Sequence, residues 1–296
     1  MIKKVTLLSQ AMFPRRILFF RSFLLKKTYC FEGKGLHTGT FSHMKVMPAP
    51  ADSGIVFRRT DLPGNPEIPA LAQNVTSTAR STTIECGEAK AVTIEHIMSV
   101  LTGLGVDNAV VELDNIEVPI LDGSARLYLE AILPDGLEEQ DTPRQYITVP
   151  FSLEVKDEKT GSWVRIEPAD APSADITVDF NSPVLGIQKA HWDEGVDYAH
   201  EIGPCRTFCF YREIEPMLSK GLIKGGDLSN ALVVTDDGYM GDPELHFQDE
   251  CGRHKMLDLL GDIRLAGGYL NARVTAYKSG HTINTKAAKA LRALLK

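Results

Sequence analysis

Cysteine is scarce in this sequence, and long apolar runs are absent. Five cysteines occur in 296 residues, none of them in a C-x-x-C pair, and the odd number is typical of reduced proteins of the cell interior. We therefore expect no disulfide bonds and a cytoplasmic location. The longest apolar runs, such as residues 17–20 and 23–25, fall far short of the ~20 residues that span a bilayer. No integral membrane segment is expected.

Positive charge is also in short supply outside the N-terminal region. The chain has 32 Lys and Arg against 39 Asp and Glu, which gives a net charge of −7. Seven of the basic residues and none of the acidic ones lie in residues 1–31, so residues 32–296 carry a net charge of −14. Nucleic acid is excluded as the main partner, because phosphate backbones need a basic protein surface. A local basic pocket for one phosphorylated ligand is compatible with this charge.

Residues 1–20 mix basic side chains with Leu, Ile and Phe, but they lack the apolar core and the cleavage site of a secretory signal. Three interpretations stay open: an unstructured tail translated from an upstream start codon, a basic amphipathic segment that contacts a membrane surface, and an organelle presequence. We treat this region as an N-terminal extension and expect it to be unstructured.

The rest of the chain alternates strand-like and helix-like segments in two successive stretches. With 43% hydrophobic residues among 296, it is long enough for two domains of ordinary size. Residues 133–144 contain two prolines, a glycine and four acidic residues, a composition that favours an exposed connection. We therefore place a domain boundary near Asp141 and predict an α+β fold with domains at 21–141 and 142–296.

Two amphipathic helices stand out, and each has a capping residue at its start. One is expected at 93–103, capped by Thr93, and the other at 249–265, capped by Asp249. Glycines are expected to stop both helices.

The second of these helices carries a regular polar ridge. His254, Asp258 and Asp262 follow one another at intervals of four, which places the three side chains on one helix face. The spacing H-x-M-x-x-L-x-G begins at His254 and also at His96. If this echo is real, the chain consists of two related halves that each present one histidine to a shared cleft.

A metal site can be assembled from these residues. Two histidines and one carboxylate around Zn²⁺, with a position left for water, form the open arrangement of hydrolytic zinc enzymes. Glu95 precedes His96, and helix neighbours diverge by about 100°, so one can bind metal while the other accepts a proton from water. Cys251 competes with Asp258 as a ligand, although a catalytic site favours the harder carboxylate. An H-x-x-x-D pair alone also fits an ordinary surface pair.

The remaining histidines carry a weaker signal. His281 follows a glycine, in a context where a buried structural histidine is common. His37 lies in a glycine-rich segment, which is most simply interpreted as a turn. Four others have no polar constellation around them and are interpreted as solvated or structural: His43, His191, His200 and His246.

Six short motifs occur in a fixed order along the chain. They are GLHTG at 35–39, VTIEH at 92–96, VPILDGSA at 118–125, RTF at 206–208, HKMLD at 254–258 and AYKSGH at 276–281. In these motifs, from about residue 21 onward, the sequence resembles the UDP-3-O-acyl-N-acetylglucosamine deacetylases, the zinc amidases of lipid A biosynthesis. Segments 77–81 and 156–199 are not matched securely, so the acyl-chain preference stays open.

The resemblance implies a fold and a metal cofactor. The fold is expected to consist of two similar two-layer α/β sandwich domains packed face to face, with the active site between them and an inserted element in each. By motif, His96, His254 and Asp258 match the zinc ligands of the family. Fe²⁺ would accept the same ligands in the cell.

The resemblance also implies roles for other side chains. Glu95 matches the general base, and His281 matches the group that acts as an acid or stabilises the charged intermediate. Asp262 matches the carboxylate that orients this histidine, and Thr207 matches a hydroxyl that helps to hold the oxyanion. Positions that contact the acylated sugar and the nucleotide phosphates are matched by Phe208, Phe210, Lys255 and Lys278.

The implied reaction is hydrolysis of the N-acetyl group of UDP-3-O-[(3R)-3-hydroxyacyl]-N-acetylglucosamine to acetate and a free amine, the committed step of lipid A biosynthesis. Two rivals stay open: a catalytically silent protein that binds the nucleotide-linked lipid, and a structural zinc site that uses Cys251. Some family members carry a fused acyl-carrier-protein dehydratase domain, which is not expected here. The sequence leaves peripheral membrane contact and the oligomeric state open.

Overall fold

The computed structural model describes residues 21–294, and the extension predicted at 1–20 lies outside this range. The first half contains β1 (Arg21–Leu25), β2 (Tyr29–Lys34), β3 (Phe41–Pro48), β4 (Ile55–Arg59), β5 (Glu67–Pro69), β6 (Val75–Ser77), β7 (Thr83–Cys86), β8 (Ala89–Ala91), α1 (Glu95–Leu104), β9 (Ala109–Leu113), α2 (Arg126–Ile132) and β10 (Leu137–Pro143). The second half contains β11 (Tyr146–Thr148), β12 (Leu153–Asp157), β13 (Ser162–Pro168), β14 (Ser173–Asp179), β15 (Ile187–Asp193), α3 (Tyr198–Glu201), β16 (Phe208–Phe210), α4 (Tyr211–Ser219), β17 (Leu232–Val234), α5 (Glu250–Arg264), β18 (Tyr269–Tyr277) and α6 (His281–Leu294).

Two mixed sheets share one topology. The first has the strand order β2-β3-β9-β4-β5, with β9 antiparallel to β3 and parallel to β4. The second has the order β12-β13-β18-β14-β15, with β18 antiparallel to β13 and parallel to β14, and β11 pairs with the start of β18. In each sheet the central strand follows a long helix, α1 before β9 and α5 before β18. Strand order and orientation are therefore repeated, in agreement with the echo between the two histidine motifs.

Buried and more exposed residues alternate along the strands, and this alternation determines which face of each sheet is buried. Met44 and Val46 of β3 are fully buried, whereas the residues between and beside them are exposed or partly exposed. Ile176 and Val178 of β14 follow the same pattern in the second sheet. A period of two places these side chains on one face, where they join a hydrophobic cluster that also includes residues of α1 and α5.

Helices α1 and α5 pack in close contact, and Gly261 permits that contact. A Cβ atom at Gly261 would lie 2.2 Å from the Glu95 carbonyl oxygen and 3.1 Å from the Ser99 backbone nitrogen. No side chain fits at this position without separating the helices. The contact brings the start of α1, from the first half, next to the polar ridge of α5, from the second.

We expect Gly261→Ala to destabilise the fold by about 1–3 kcal/mol, the usual range for overpacking a filled site. The atoms that the new methyl group would meet belong to the backbone of α1, so no side-chain rotation can relieve the contact. Gly238→Ala is the matched control, because a Cβ atom there meets nothing within 4 Å. Urea denaturation of both variants measures the difference. Equal midpoints for Gly261→Ala and the wild type would contradict the close packing.

Two smaller elements flank the main sheets. Strands β6, β7 and β8 form a three-stranded antiparallel sheet. Strands β16 and β17 pair in parallel and are connected through α4, so they form a compact βαβ unit. A second hydrophobic cluster beneath this unit contains Leu185, Leu232, Val234 and Cys251.

The predicted α+β class is confirmed, whereas the predicted connection at 133–144 is wrong in part. This segment contains β10, which pairs with β1, so the polar composition reflects a two-stranded sheet with little burial rather than an irregular link. The domain boundary near Asp141 stays a prediction. The helix predicted at 249–265 is observed within one residue at each end. None of the helices in the described part of the chain combines the length and apolar composition needed to span a bilayer.

The predicted ends of the first helix are both wrong. Thr93 does not cap α1: its φ is +59°, in the left-handed region, and the helix begins at Glu95. Gly103 does not stop the helix, which continues one residue further and is capped by Gly105. Gly103 is instead a packing position, because a Cβ atom there would lie 2.3 Å from the ring of Tyr198.

Candidate active site

The side chains of His96, His254 and Asp258 converge where α1 packs against α5. One potential ligand atom from each lies within 4.8 Å of the other two, and all three side chains are buried. Asp258 Oδ1 is 4.0 Å from His96 Nε2 and 3.5 Å from His254 Nε2. Within residues 21–294 this buried oxygen has no hydrogen-bond partner. An unpartnered carboxylate oxygen beside two imidazole nitrogens fits the donor set of a divalent ion such as zinc.

Neighbouring groups orient two of these side chains. His254 Nδ1 lies 3.0 Å from the Cys205 carbonyl oxygen, so the ring can donate there and keep the Nε2 lone pair for a metal. Lys255 donates to Asp258 Oδ2 at 2.8 Å, which leaves Oδ1 as the free ligand atom. Support of this kind fixes the direction in which each potential ligand points.

The protonation states also favour metal binding. Burial, together with the neighbouring His254, lowers the pKa of His96 to about 3. Burial likewise lowers the pKa of His254. Burial would raise the pKa of Asp258, but Lys255 and the nearby histidines outweigh that effect and lower it. Neutral imidazoles and an ionised carboxylate are the forms that bind a metal ion.

Glu95 and His281 face the three potential ligands. His281 Nε2 is 3.7 Å from Glu95 Oε1 and 3.9 Å from Asp258 Oδ2. The other ring nitrogen, Nδ1, lies 3.0 Å from Asp262 Oδ2, and Asn284 Nδ2 donates to the same oxygen at 3.0 Å. One imidazole nitrogen therefore points toward the potential ligands, and the other is anchored in the protein.

Both facing groups have raised pKa values. Burial raises the pKa of Glu95 to about 8, although His281 opposes this change. Burial by itself lowers the pKa of His281, but Asp262 and Glu95 outweigh it and raise the pKa to about 9. Each group can therefore hold a proton near neutral pH, as general acid–base chemistry requires.

A cavity of about 580 Å³ lies over these groups. Its floor includes Glu95, His96, His254, Asp258 and His281. One side of the cavity is formed by the βαβ unit and the residues that follow it, and this side is mainly apolar, with Asp227 as its charged residue. Its lining includes Ile214, Met217, Leu218, Val233 and Met240. A polar reaction centre thus continues into an apolar recess, an arrangement that suits an amphiphilic ligand.

Four of the other predicted site residues reach the cavity, and one does not. Thr207, Phe208, Lys255 and Lys278 line it. Lys255 Nζ lies 5.3 Å from the centroid of the Phe208 ring, and Lys278 forms an ion pair with a carboxylate at the end of β14. Phe210 is outside the lining, and its ring packs edge-on against Phe208 with 6.4 Å between centroids. Phe210 therefore supports the cavity wall rather than forming its surface.

Cys251 is separated from the three potential ligands. Its side chain packs in the second hydrophobic cluster, and burial raises the pKa of its thiol to about 12. Among residues 21–294, the cluster suited to a metal consists of His96, His254 and Asp258 without this cysteine. The geometry therefore does not support the alternative of a structural zinc site at Cys251.

His37 contributes to the cavity, although its sequence context indicated a glycine-rich turn. The side chain is buried and lines the cavity. In the described part of the chain, neither ring nitrogen has a hydrogen-bond partner. The GLHTG motif contains this histidine, but a turn was the simpler explanation for its glycines.

Glu117 fixes the segment that carries His37, and no sequence pattern indicated this role. Its carboxylate accepts hydrogen bonds from the backbone N–H groups of His37 and Thr38, at 2.9 and 2.7 Å, and from the hydroxyls of Thr38 and Thr93. Gly35 allows the close approach, since a Cβ atom there would lie 2.3 Å from Glu117 Oε2. A left-handed φ is costly for a β-branched residue, and the hydrogen bond from Thr93 helps to stabilise that turn immediately before α1.

Comparison with known proteins shows which family this chain resembles. The family model for UDP-3-O-acyl N-acetylglycosamine deacetylase matches residues 24–293. A UDP-3-O-acyl-N-acetylglucosamine deacetylase of Teredinibacter turnerae is 42% identical, over 90% of this chain and 88% of the relative. The deacetylase of the same name from Pseudomonas entomophila is 41% identical, over 88% of this chain and 87% of the relative.

Longer relatives are similar over part of their length. A bifunctional enzyme LpxC/FabZ of Porphyromonas gingivalis is 41% identical over 92% of this chain, and the chain spans 64% of that relative. Two further bifunctional relatives are spanned over 63% of their length. The resemblance inferred from the six motifs is confirmed: the chain belongs to the UDP-3-O-acyl N-acetylglycosamine deacetylase family.

Proposed function

We propose that this chain is a zinc-dependent amidohydrolase. Its substrate is UDP-3-O-[(3R)-3-hydroxyacyl]-N-acetylglucosamine, and its products are acetate and the free amine, in the committed step of lipid A biosynthesis. The observation that carries the proposal is the convergence of His96, His254 and Asp258 beside Glu95 and His281, at the floor of a cavity with one apolar side. The names of the monofunctional relatives support the same substrate class.

Three side chains would hold the metal ion: His96 and His254 through Nε2, and Asp258 through Oδ1. When bound, zinc polarises a carbonyl group and lowers the pKa of water toward ~7. The donor set also suits Fe²⁺, so metal analysis of protein from cells decides which ion is loaded.

Glu95 is proposed as the general base. Its Oε1 points toward His281 and the ligand cluster, where it can accept the proton of the attacking water. The raised pKa of about 8 lets the carboxyl group hold that proton until the amine departs.

His281 is proposed to place positive charge beside the reacting carbonyl. Asp262 accepts a hydrogen bond from Nδ1, which fixes the ring and leaves Nε2–H directed into the site. Together with the Thr207 hydroxyl, this donor stabilises the negative charge that develops on the carbonyl oxygen. The departing amine receives its proton from Glu95 or His281.

The rest of the substrate matches the two ends of the cavity. The apolar recess beside the βαβ unit is suited to the acyl chain, since burying methylene groups there removes them from water. Lys255 and Lys278 line the polar part and are proposed to attract the diphosphate. Phe208 is proposed to contact the acylated sugar, with Phe210 behind it.

The cellular setting is proposed on the same basis. The described cysteines are free, as expected in the cytoplasm. The partner is a nucleotide-linked acyl sugar rather than nucleic acid, because most of the chain is acidic.

Acetate release tests the proposal. The purified chain, loaded with zinc, is incubated with the UDP-linked substrate, and both products are quantified by mass spectrometry. The assay is repeated after removal of zinc with a chelator and again after zinc is restored. We expect turnover by the zinc-loaded protein, loss of turnover after chelation and recovery of turnover when zinc is restored. The circular dichroism spectrum should stay the same in all three states. Tight binding without acetate release would instead identify a silent lipid-nucleotide binding protein, and unfolding on zinc removal would indicate a structural metal.

A further inference from the structure

Thr82 makes three polar contacts at the back of the candidate site. It immediately precedes β7 and is fully buried. Its backbone N–H donates to Glu95 Oε2 at 2.9 Å, and its carbonyl oxygen accepts the Ile94 N–H at 3.2 Å. Its hydroxyl donates to Asp262 Oδ1 at 2.5 Å. One residue therefore binds both the start of α1 and the polar ridge of α5.

In the carboxylates of Glu95 and Asp262, Thr82 binds one oxygen and leaves the other oxygen directed toward His281. Thr82 holds Glu95 Oε2, and Oε1 is left to face His281. Thr82 also holds Asp262 Oδ1, and Oδ2 is left to accept from His281 Nδ1 and Asn284 Nδ2. Since a carboxylate without a fixed partner on one oxygen can rotate about its terminal torsion, the Thr82 contacts restrict both groups.

The two carboxylates also need donors for an electrostatic reason. Both are buried and lie near His281, so their mutual repulsion is weakly screened. Thr82 supplies one N–H and one O–H, a donor for each carboxylate, and a charged acceptor strengthens both hydrogen bonds. A valine in its place would keep the backbone donor and the shape but remove the hydroxyl donor.

We propose that Thr82 is a positioning residue of the reaction, which acts through Asp262 on His281 and through its backbone on Glu95. The inference rests on the proposed deacetylase activity. Thr82 is neither part of the cavity lining nor one of the three potential ligands, and within the described residues its hydrogen bonds go to Glu95, Asp262 and Ile94. Its hydroxyl should therefore affect turnover rather than substrate or metal binding.

The first test compares Thr82→Val with Thr82→Ser. Loss of a hydrogen bond that orients a catalytic group typically costs 10–100-fold in activity, so we expect kcat of Thr82→Val to fall by about that factor. KM and zinc content should stay near the wild-type values, and Thr82→Ser should recover most of the lost kcat. The melting temperature of Thr82→Val should fall, because the buried Asp262 Oδ1 loses its donor. Thr83→Val is the matched control, since Thr83 is the next residue, is also buried, and within residues 21–294 its side chain forms no hydrogen bond to Glu95 or Asp262.

The second test is a double-mutant cycle with Asp262→Ala, which removes both carboxylate oxygens that the Thr82 hydroxyl and His281 Nδ1 contact. If the Thr82 hydroxyl acts through Asp262, removing it in the Asp262→Ala background should have little further effect on kcat. Should Thr82→Val not fold, Thr82→Ala lacks the same hydroxyl and is smaller, so it replaces the valine variant in both tests.

Three results would overturn the inference while acetate release by the wild type remained intact. The first is a wild-type kcat in Thr82→Val, and the second is a kcat in Thr82→Ser that is no higher than in Thr82→Val. The third is a double mutant whose fold-loss in kcat equals the product of the fold-losses of the two single variants. Absence of acetate release in the zinc-loaded wild type would instead reject the proposed function itself.

Discussion

Replacement of Glu95 by glutamine should lower kcat by about 10²–10⁴-fold, the range typical for removal of a general base. The amide has nearly the same shape, and its oxygen can still accept the Thr82 N–H that now binds Glu95 Oε2. The position facing His281 would then hold a group that cannot accept the proton of water. Steady-state acetate release and metal analysis of the same preparation measure the effect, and we expect unchanged zinc content.

Glu85→Gln is the matched control for this variant. Glu85 lies in the same half of the chain, but its side chain is 36% exposed and forms an ion pair with Lys90 at 3.0 Å. The control should retain wild-type turnover. Near wild-type kcat in Glu95→Gln would remove Glu95 from the reaction, and loss of zinc would make it part of the metal site.

Replacement of His281 by alanine should lower kcat by about 10²–10³-fold, as expected when one donor to a developing oxyanion is lost. His281 is held by Asp262 and directed toward the candidate metal cluster, so its removal leaves the cavity without the imidazolium. KM should change much less than kcat, because the stabilised charge exists in the transition state and not in the bound amide.

His200→Ala is the control for this second variant. His200 is 80% exposed, pairs with Asp197 on the surface and is not part of the cavity lining. A rise in KM at unchanged kcat for His281→Ala would show that His281 contributes to substrate binding. Its assigned role in the transition state would then be wrong.

The sequence predicted the parts of the fold and site that depend on local spacing. The interval of four residues placed His254, Asp258 and Asp262 on one helix face, and that face carries them in the structure. The helix predicted at 249–265 is also observed, within one residue at each end. Local rules act over one helical turn or one strand, and these features lie within that range.

Other features depend on partners far along the chain, and spacing could not reveal them. The Thr82 hydroxyl meets Asp262 across 180 positions of sequence, and Glu117 reaches back to the His37 segment across 80. The left-handed turn at Thr93 was predicted as an ordinary helix cap, in which the hydroxyl accepts from an N–H group of its own helix. In the structure the Thr93 hydroxyl instead donates to Glu117, 24 residues further along the chain. Helix α6, which begins at His281, is not among the helices predicted from the sequence.

The proposed activity depends on a metal ion held by His96, His254 and Asp258. A zinc-edge anomalous difference map, measured on crystals of zinc-loaded and active protein, tests it most directly. We predict one strong peak, at about 2.0–2.2 Å from His96 Nε2, His254 Nε2 and an oxygen of Asp258. A map with its peak at Cys251, or with no peak among these three side chains, would contradict the account.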